Sequence, residues 1–146
     1  MRVALFYHSL VSDWNHGNAH FLRGIASELQ SRRHTVRIFE PEDSWSRMNL
    51  LHDEGPDAVS EFNRAFPDLS STRYSIDRLE LPEWLDGVDL VLVHEWNDPG
   101  LISAIGDHAR RNRNVRVLFH DTHHRAITAA HELARFDLTA YHGILA

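Results

Sequence analysis

Three polar clusters interrupt otherwise apolar segments, and each holds side chains that can move a proton or bind a hydroxyl. The densest is HDTHH (120–124), with His120, Asp121, His123 and His124. HEWND (94–98) sets His94 beside Glu95. The third lies in FYHSLVSDWNHGNAHFLRGI (6–25), where His8, Ser9, Ser12, Asp13, Asn15, His16, Gly17, Asn18 and His20 crowd one connection. Imidazole is suited to proton transfer near neutrality, and the chain carries 12 histidines. A histidine beside a carboxylate forms an acid/base or hydroxyl-binding pair. Histidine and aspartate also suit zinc or iron, so HDTHH admits a metal. No H-E-x-x-H or other recognised ligand spacing completes that set, and Asp121 or Thr122 could instead cap a helix over 124–135. In the third cluster, Gly17 lets the backbone approach a ligand or take a positive φ. Amides near Asn18 and Ala19, at the positive end of a helix, would suit an anion, a phosphate above all. Neither G-x-G-x-x-G nor a Walker A pattern is present, so a polar turn that merely caps the helix remains the alternative.

These clusters must be held by regular elements, and the apolar pattern supplies them. RVALFY (2–7), TVRIFE (35–40), VDLVLVHE (88–95), VRVLFH (115–120) and YHGILA (141–146) read as strands. The first, third and fourth are nearly continuous apolar runs, the signature of strands covered on both faces. Phe21, Leu22, Ile25, Ala26 and Leu29 fall on one face of a helix. Leu101, Ile102, Ile105 and Ala109 repeat that spacing after Asp98-Pro99, an N-cap followed by a first-turn proline. Ile127, Ala130, Leu133 and Ala134 supply a third helix. Alternating strands and helices predict an α/β, mostly parallel, doubly wound sheet with helices on both faces. All three clusters then lie at the carboxyl ends of strands, where open α/β sheets place their sites.

Residues 41–86 differ, with 11 Asp or Glu against four Arg. Helical spacing at Ala58, Phe62, Ala65 and Phe66, and at Trp45, Met48 and Leu51, marks this stretch as an acidic helical excursion, and RYSIDRLEL (73–81) could add a strand. We read the acidic bias as a solvated face.

Composition narrows the functions. At 146 residues the chain is expected to form one domain, 1–146. Cysteine is absent, which excludes thiolate chemistry and zinc–thiolate sites and fits a cytoplasmic setting. All 15 basic residues are arginine, so lysine Schiff-base and P-loop chemistry are excluded. The formal charge of −6 argues against nonspecific nucleic-acid binding. No apolar stretch approaches the length of a transmembrane segment.

MRVALFYHSL...HGNAHFLRGIASELQSRRHTVRIFEP, VDLVLVHEWNDPGLI and VRVLFHDTHHRA together resemble the N-terminal Rossmann-like domain of GT-B glycosyltransferases, of the retaining family 4 type and the related spore-maturation-protein-like group. The likeness spans nearly the whole chain and is most specific over 1–40. It implies a transferase that passes a sugar from a nucleotide-sugar donor (UDP- or GDP-sugar) to a small-molecule or glycan acceptor, without a bound metal as catalyst and with no other cofactor in this domain. It implies that His16, Gly17 and Asn18 approach the donor diphosphate and sugar. His120 would contact the transferred sugar, Asp121 would support it, and His94, Glu95 and His123 would line the acceptor side. The donor half, a C-terminal domain of the same protein, would be the partner. The chain alone is then expected to be inactive, and its last strand to continue into that larger protein. One departure is the helix end at Arg33-His34, where the family often has Gly-His, so the left-handed cap should be lost or shifted. Competing readings are a His/Asp metal-dependent hydrolase built on HDTHH and a flavodoxin- or receiver-like binding module.

Overall fold

The apolar runs become strands sandwiched between two cores, as their lack of alternation requires. The computed structural model describes residues 1–12, 17–122 and 128–146. Its elements in chain order are β1 (Arg2–Phe6), α1 (Gly17–Ser31), β2 (Thr35–Pro41), α2 (Trp45–Glu54), α3 (Asp57–Ala65), β3 (Thr72–Tyr74), α4 (Leu81–Trp84), β4 (Leu90–His94), α5 (Pro99–Arg111), β5 (Arg116–His120), α6 (Ala130–Leu133) and β6 (Gly143–Leu145). The strands form one sheet in the order β3-β2-β1-β4-β5-β6, with every pairing parallel. This is a Rossmann-like α/β fold, and its order reverses at β1.

Period-two geometry sends alternate residues to opposite cores. Val3 and Leu5 of β1, Ile38 of β2 and Leu92 of β4 pack with Leu22 and Ala26 of α1, Leu50 of α2, and Ala58 and Phe62 of α3. Ala4, Phe6, Phe39, Val91, Val93, Val117 and Phe119 face the other way, against Trp84 of α4 and Leu101, Ile102 and Ile105 of α5. Burying each large side chain contributes about 1.5–3 kcal/mol, so these two layers supply most of the drive to fold. Phe39 stacks on Phe6 at 4.7 Å and on Trp84 at 5.2 Å, tying β1, β2 and α4 together.

The stretch 41–86 contains α2 and α3 where helical spacing placed them, and its β3 extends the sheet beside β2. The third long helix differs from expectation. In its described part Thr128 and Ala130–Leu133 are helical with a break at Ala129, and none of Ala130–Leu133 is buried. Phe136, Leu138 and Tyr141 pack there instead, and the Tyr141 hydroxyl donates to Ile102 O at 2.9 Å. Ile127 lies outside the described residues, as does the start of the helix expected at 124.

The helix-end expectations divide. Asp98 caps α5 as read, its Oδ1 accepting from Gly100 N at 2.7 Å. At the end of α1 the left-handed cap is kept rather than lost. Arg33 itself adopts φ 65°, its N–H bonding Gln30 O at 2.8 Å while His34 N–H bonds Leu29 O at 3.0 Å. That bond pair is a Schellman motif with arginine in the glycine position. Closing the last turn offsets the strain of a side chain there.

Candidate functional site

The carboxyl ends of β1, β4 and β5 meet at the reversal in strand order. β4 and β5 pair in a register that sets His94 directly beside His120, both on the α1 side of the sheet with Leu92 and Leu118. Their rings lie 5.5 Å apart, edge to face. Tyr7 follows β1, held by its N–H to Phe39 O at 3.0 Å, and its hydroxyl lies 2.7 Å from His120 Nδ1. Phe21 of α1 covers this pair, 4.6 Å from the His120 ring and 6.3 Å from Tyr7. Phe21 is 39% exposed, whereas His120 keeps only 6%, so the phenylalanine forms the outer wall and the imidazole the floor.

Burial sets the protonation states here. Desolvation lowers the pKa of His120, and the negative charges of Glu95 and Asp121 oppose it without reversing it. Burial also pushes the Tyr7 phenol far up, so it remains a hydroxyl at any physiological pH. His120 is therefore a neutral imidazole near pH 7, anchored at Nδ1 and suited to hydrogen bonding rather than to holding a fixed positive charge.

Neighbours along a strand point to opposite faces, as His94 and Glu95 would if β4 ran on. The structure brings both to one residue, because β4 ends at His94 and the backbone turns there. Trp96 N–H donates to His94 Nδ1 at 3.2 Å, which leaves the proton on Nε2, 3.0 Å from the Thr122 hydroxyl oxygen. Thr122 in turn donates its hydroxyl and its N–H to Glu95 Oε1, each at 3.0 Å. This directional chain fixes the tautomer of His94 and ties the ends of β4 and β5 together. His94 and Glu95 are buried, at 0% and 1% exposure, so what they can present to a ligand is the position of Thr122. Asp121 is half-buried, its N–H bonded to Leu145 O at 2.9 Å.

Gly17 is the first residue of α1, and nothing lies within 4 Å of where a Cβ would project. Its φ is not positive; among described glycines that conformation belongs to Gly55 and Gly87. Its use is therefore an unobstructed approach to the helix start, not an unusual backbone shape. Asn18 beside it is half-buried. The preceding turn is pinned from below, with Leu10 N–H on Glu40 Oε2 at 2.5 Å and Leu10 O accepting from Arg23 Nε at 3.2 Å. Ser71 Oγ donates to Glu40 Oε1 at 2.8 Å. His16, His123 and His124 lie outside the described residues.

Sequence reasoning missed Tyr7 and Phe21, which it assigned to the core, and Thr122, which it treated as a helix cap. A hydroxyl-bearing residue at the end of an apolar strand run, as Tyr7 is, was the available signal. His142 Nδ1 accepts from Val117 N at 3.1 Å, extending the β5–β6 ladder.

Among the described residues no three His, Asp or Glu side chains gather as a metal set. No described helix is long and apolar enough to cross a membrane.

No family model matches the chain, and no curated protein sequence does. In shape it is similar to a solved alpha-glucosyltransferase in complex with UDP, with a TM-score of 0.54 and 14% identity over 94% of this chain. The chain spans 34% of the length of that protein's chain. At such identity the likeness establishes the fold, a Rossmann-like α/β arrangement shared with a glycosyltransferase.

Proposed function

We propose that this chain is the acceptor-side Rossmann-like half of a glycosyltransferase, which passes a sugar from a UDP- or GDP-sugar to a hydroxyl-bearing acceptor. A C-terminal domain of the same protein would hold the donor nucleotide. The observation that carries this reading is the neutral His120, held by the Tyr7 hydroxyl at the carboxyl end of β5, beside the start of α1. The fold likeness to an alpha-glucosyltransferase in complex with UDP supports it.

In the transfer, a bond forms between the acceptor oxygen and the anomeric carbon while the bond from that carbon to the diphosphate oxygen breaks. The diphosphate leaves with the bonding electrons and gains negative charge, and the acceptor hydroxyl's proton passes to the departing diphosphate oxygen. Gly17 and Asn18, with His16 before them, would face that charge from the positive end of α1, and the open space at Gly17 gives the phosphates access. His120 would hydrogen bond the transferred sugar and fix its position, with Asp121 supporting the imidazole through its charge. His94 and Glu95 act on the acceptor side by holding Thr122, and His123 would complete that side.

The test is made on the intact enzyme that carries this domain, by following release of free UDP or GDP from the nucleotide sugars. His120→Ala should lower kcat/KM by about a hundredfold. Gly17→Val should abolish turnover, while far-UV circular dichroism stays unchanged because nothing described lies within 4 Å of the added Cβ. Normal turnover in Gly17→Val would remove the phosphate role, and normal turnover in His120→Ala would remove the sugar contact.

A further inference from the structure

A cleft of about 510 Å3 opens beside that site, at the carboxyl ends of β1 to β4, within the size range of small-molecule sites. One of its walls is aromatic. The His8 ring lies 5.0 Å from Trp45 and 5.5 Å from Trp96, and the two indoles are 5.8 Å apart. Trp45 is 46% exposed and Ile76 43%, and both line this cleft. Large apolar surface left uncovered at a concave site is surface that a ligand can bury.

The polar lining of the cleft is acidic. Glu42, Asp43, Asp77 and Asp98 line the cleft, and no arginine lines it among the described residues. Asp98 already serves Gly100 N. At the base, the Tyr74 hydroxyl donates to Asn97 Oδ1 at 2.9 Å, and Asn97 Nδ2 donates to Phe6 O at 2.9 Å and His94 O at 2.8 Å. These bonds lock the loop that carries Trp96, so the aromatic wall is preformed. Burial first, then the charges of Asp43 and Asp98, raise the Tyr74 pKa, which registers the negative potential at the base of the cleft.

An anion is repelled from such a cleft. A neutral ring would use the indoles and leave the carboxylates without a counter-charge, whereas a cation on an apolar ring uses both. We propose that the cleft binds a ring-shaped ligand bearing a protonated amine, an amino sugar in the simplest case, with its C–H face on Trp45 and Trp96 and its ammonium toward Asp43 and Asp77. Trp96 lies 5.8 Å from the His94 ring, which is 5.5 Å from His120, so the ligand would sit two aromatic contacts from the sugar-contacting imidazole. Only its role as acceptor rests on the sugar-transfer reading; the binding itself does not.

The test follows the indole N–H resonances of Trp45 and Trp96 in the 146-residue chain, titrated near neutral pH with glucosamine, glucose and N-acetylglucosamine. The three probes share a pyranose ring, and only the first is charged. Glucosamine should give saturable shifts at concentrations about tenfold or more below those the other two require. Trp45→Ala, read at Trp96, and the pair Asp43→Asn with Asp77→Asn should each weaken glucosamine binding by about fivefold or more. Circular dichroism confirms that the variants fold. Equal binding of the three probes, no saturable shift with any of them, or unchanged glucosamine binding in both variants would overturn the proposal. Binding that persists in an intact enzyme made inactive by His120→Ala would separate this cleft from the transfer step.

Discussion

His120 sits where solvation, hydrogen bonding and charge pull in different directions, and the balance gives the domain a pH signature. Its folded-state pKa lies below the ordinary value of 6.5, chiefly through burial. The unfolded chain therefore takes up a proton at a higher pH than the folded one. Stability is complete above pH 6.5 and falls as pH drops from there through the folded pKa, because protons then favour the unfolded state. His108, lowered by burial and by Arg111, acts in the same window and with the same sign. Urea unfolding across that window should show a shallower acid loss in His120→Gln than in the wild type, and His108→Asn gives the size of the second contribution. An identical slope in His120→Gln would contradict the assignment. The Tyr7 hydroxyl can be tested alone: Tyr7→Phe should cost about 1 kcal/mol, read by the same unfolding, since it leaves a buried ring nitrogen without its partner.

Among the elements, the ends carry more information than the middles. Asp98→Ala should destabilise the domain by about 1 kcal/mol, through loss of the bond to Gly100 N that starts α5. Arg33→Gly should do the reverse, raising stability by about 1 kcal/mol, because the left-handed cap of α1 then carries no Cβ strain. Thermal denaturation of the two variants beside the wild type checks both signs. The Asp98-Pro99 start was legible because capping is local chemistry. The fate of Arg33 was not, since whether a non-glycine residue accepts φ 65° depends on the bonds that the rest of the turn supplies. The same division runs through the site. That His94, Glu95 and His120 lie at strand ends followed from the apolar pattern alone. That His94 and Glu95 share Thr122 depended on where β4 stops and how the backbone turns, which period-two reasoning does not contain.

For the whole molecule, the doubly wound sheet was legible because three runs without alternation demanded cover on both faces. The strand offered over 73–81 forms only as Thr72–Tyr74, and its place at the sheet edge was not legible, since three residues carry too little pattern to fix a neighbour. The short α6 followed the same rule, its apolar positions packing less well than the aromatic residues after it. Within the core on the α4 and α5 side, Phe39 is the residue whose loss should be felt most, because it ties β1, β2 and α4 together. Phe39→Ala should cost about 3–5 kcal/mol in urea unfolding, because its ring fills the space between Phe6 and Trp84 and nothing nearby can replace it.

The pairing of His94 with His120 has a further consequence for how errors in assembly would be felt. If β5 slid by a single position along β4, the two imidazoles would part company and Phe119 or Asp121 would stand opposite His94. Side-chain direction would invert along the whole of β5, forcing Phe119 out of its aromatic nest and His120 into it. Reactive groups and hydrophobic packing are thus indexed by one alignment, so a misthreaded chain forfeits both together, and no stable but chemically blunted version of this sheet is available to it.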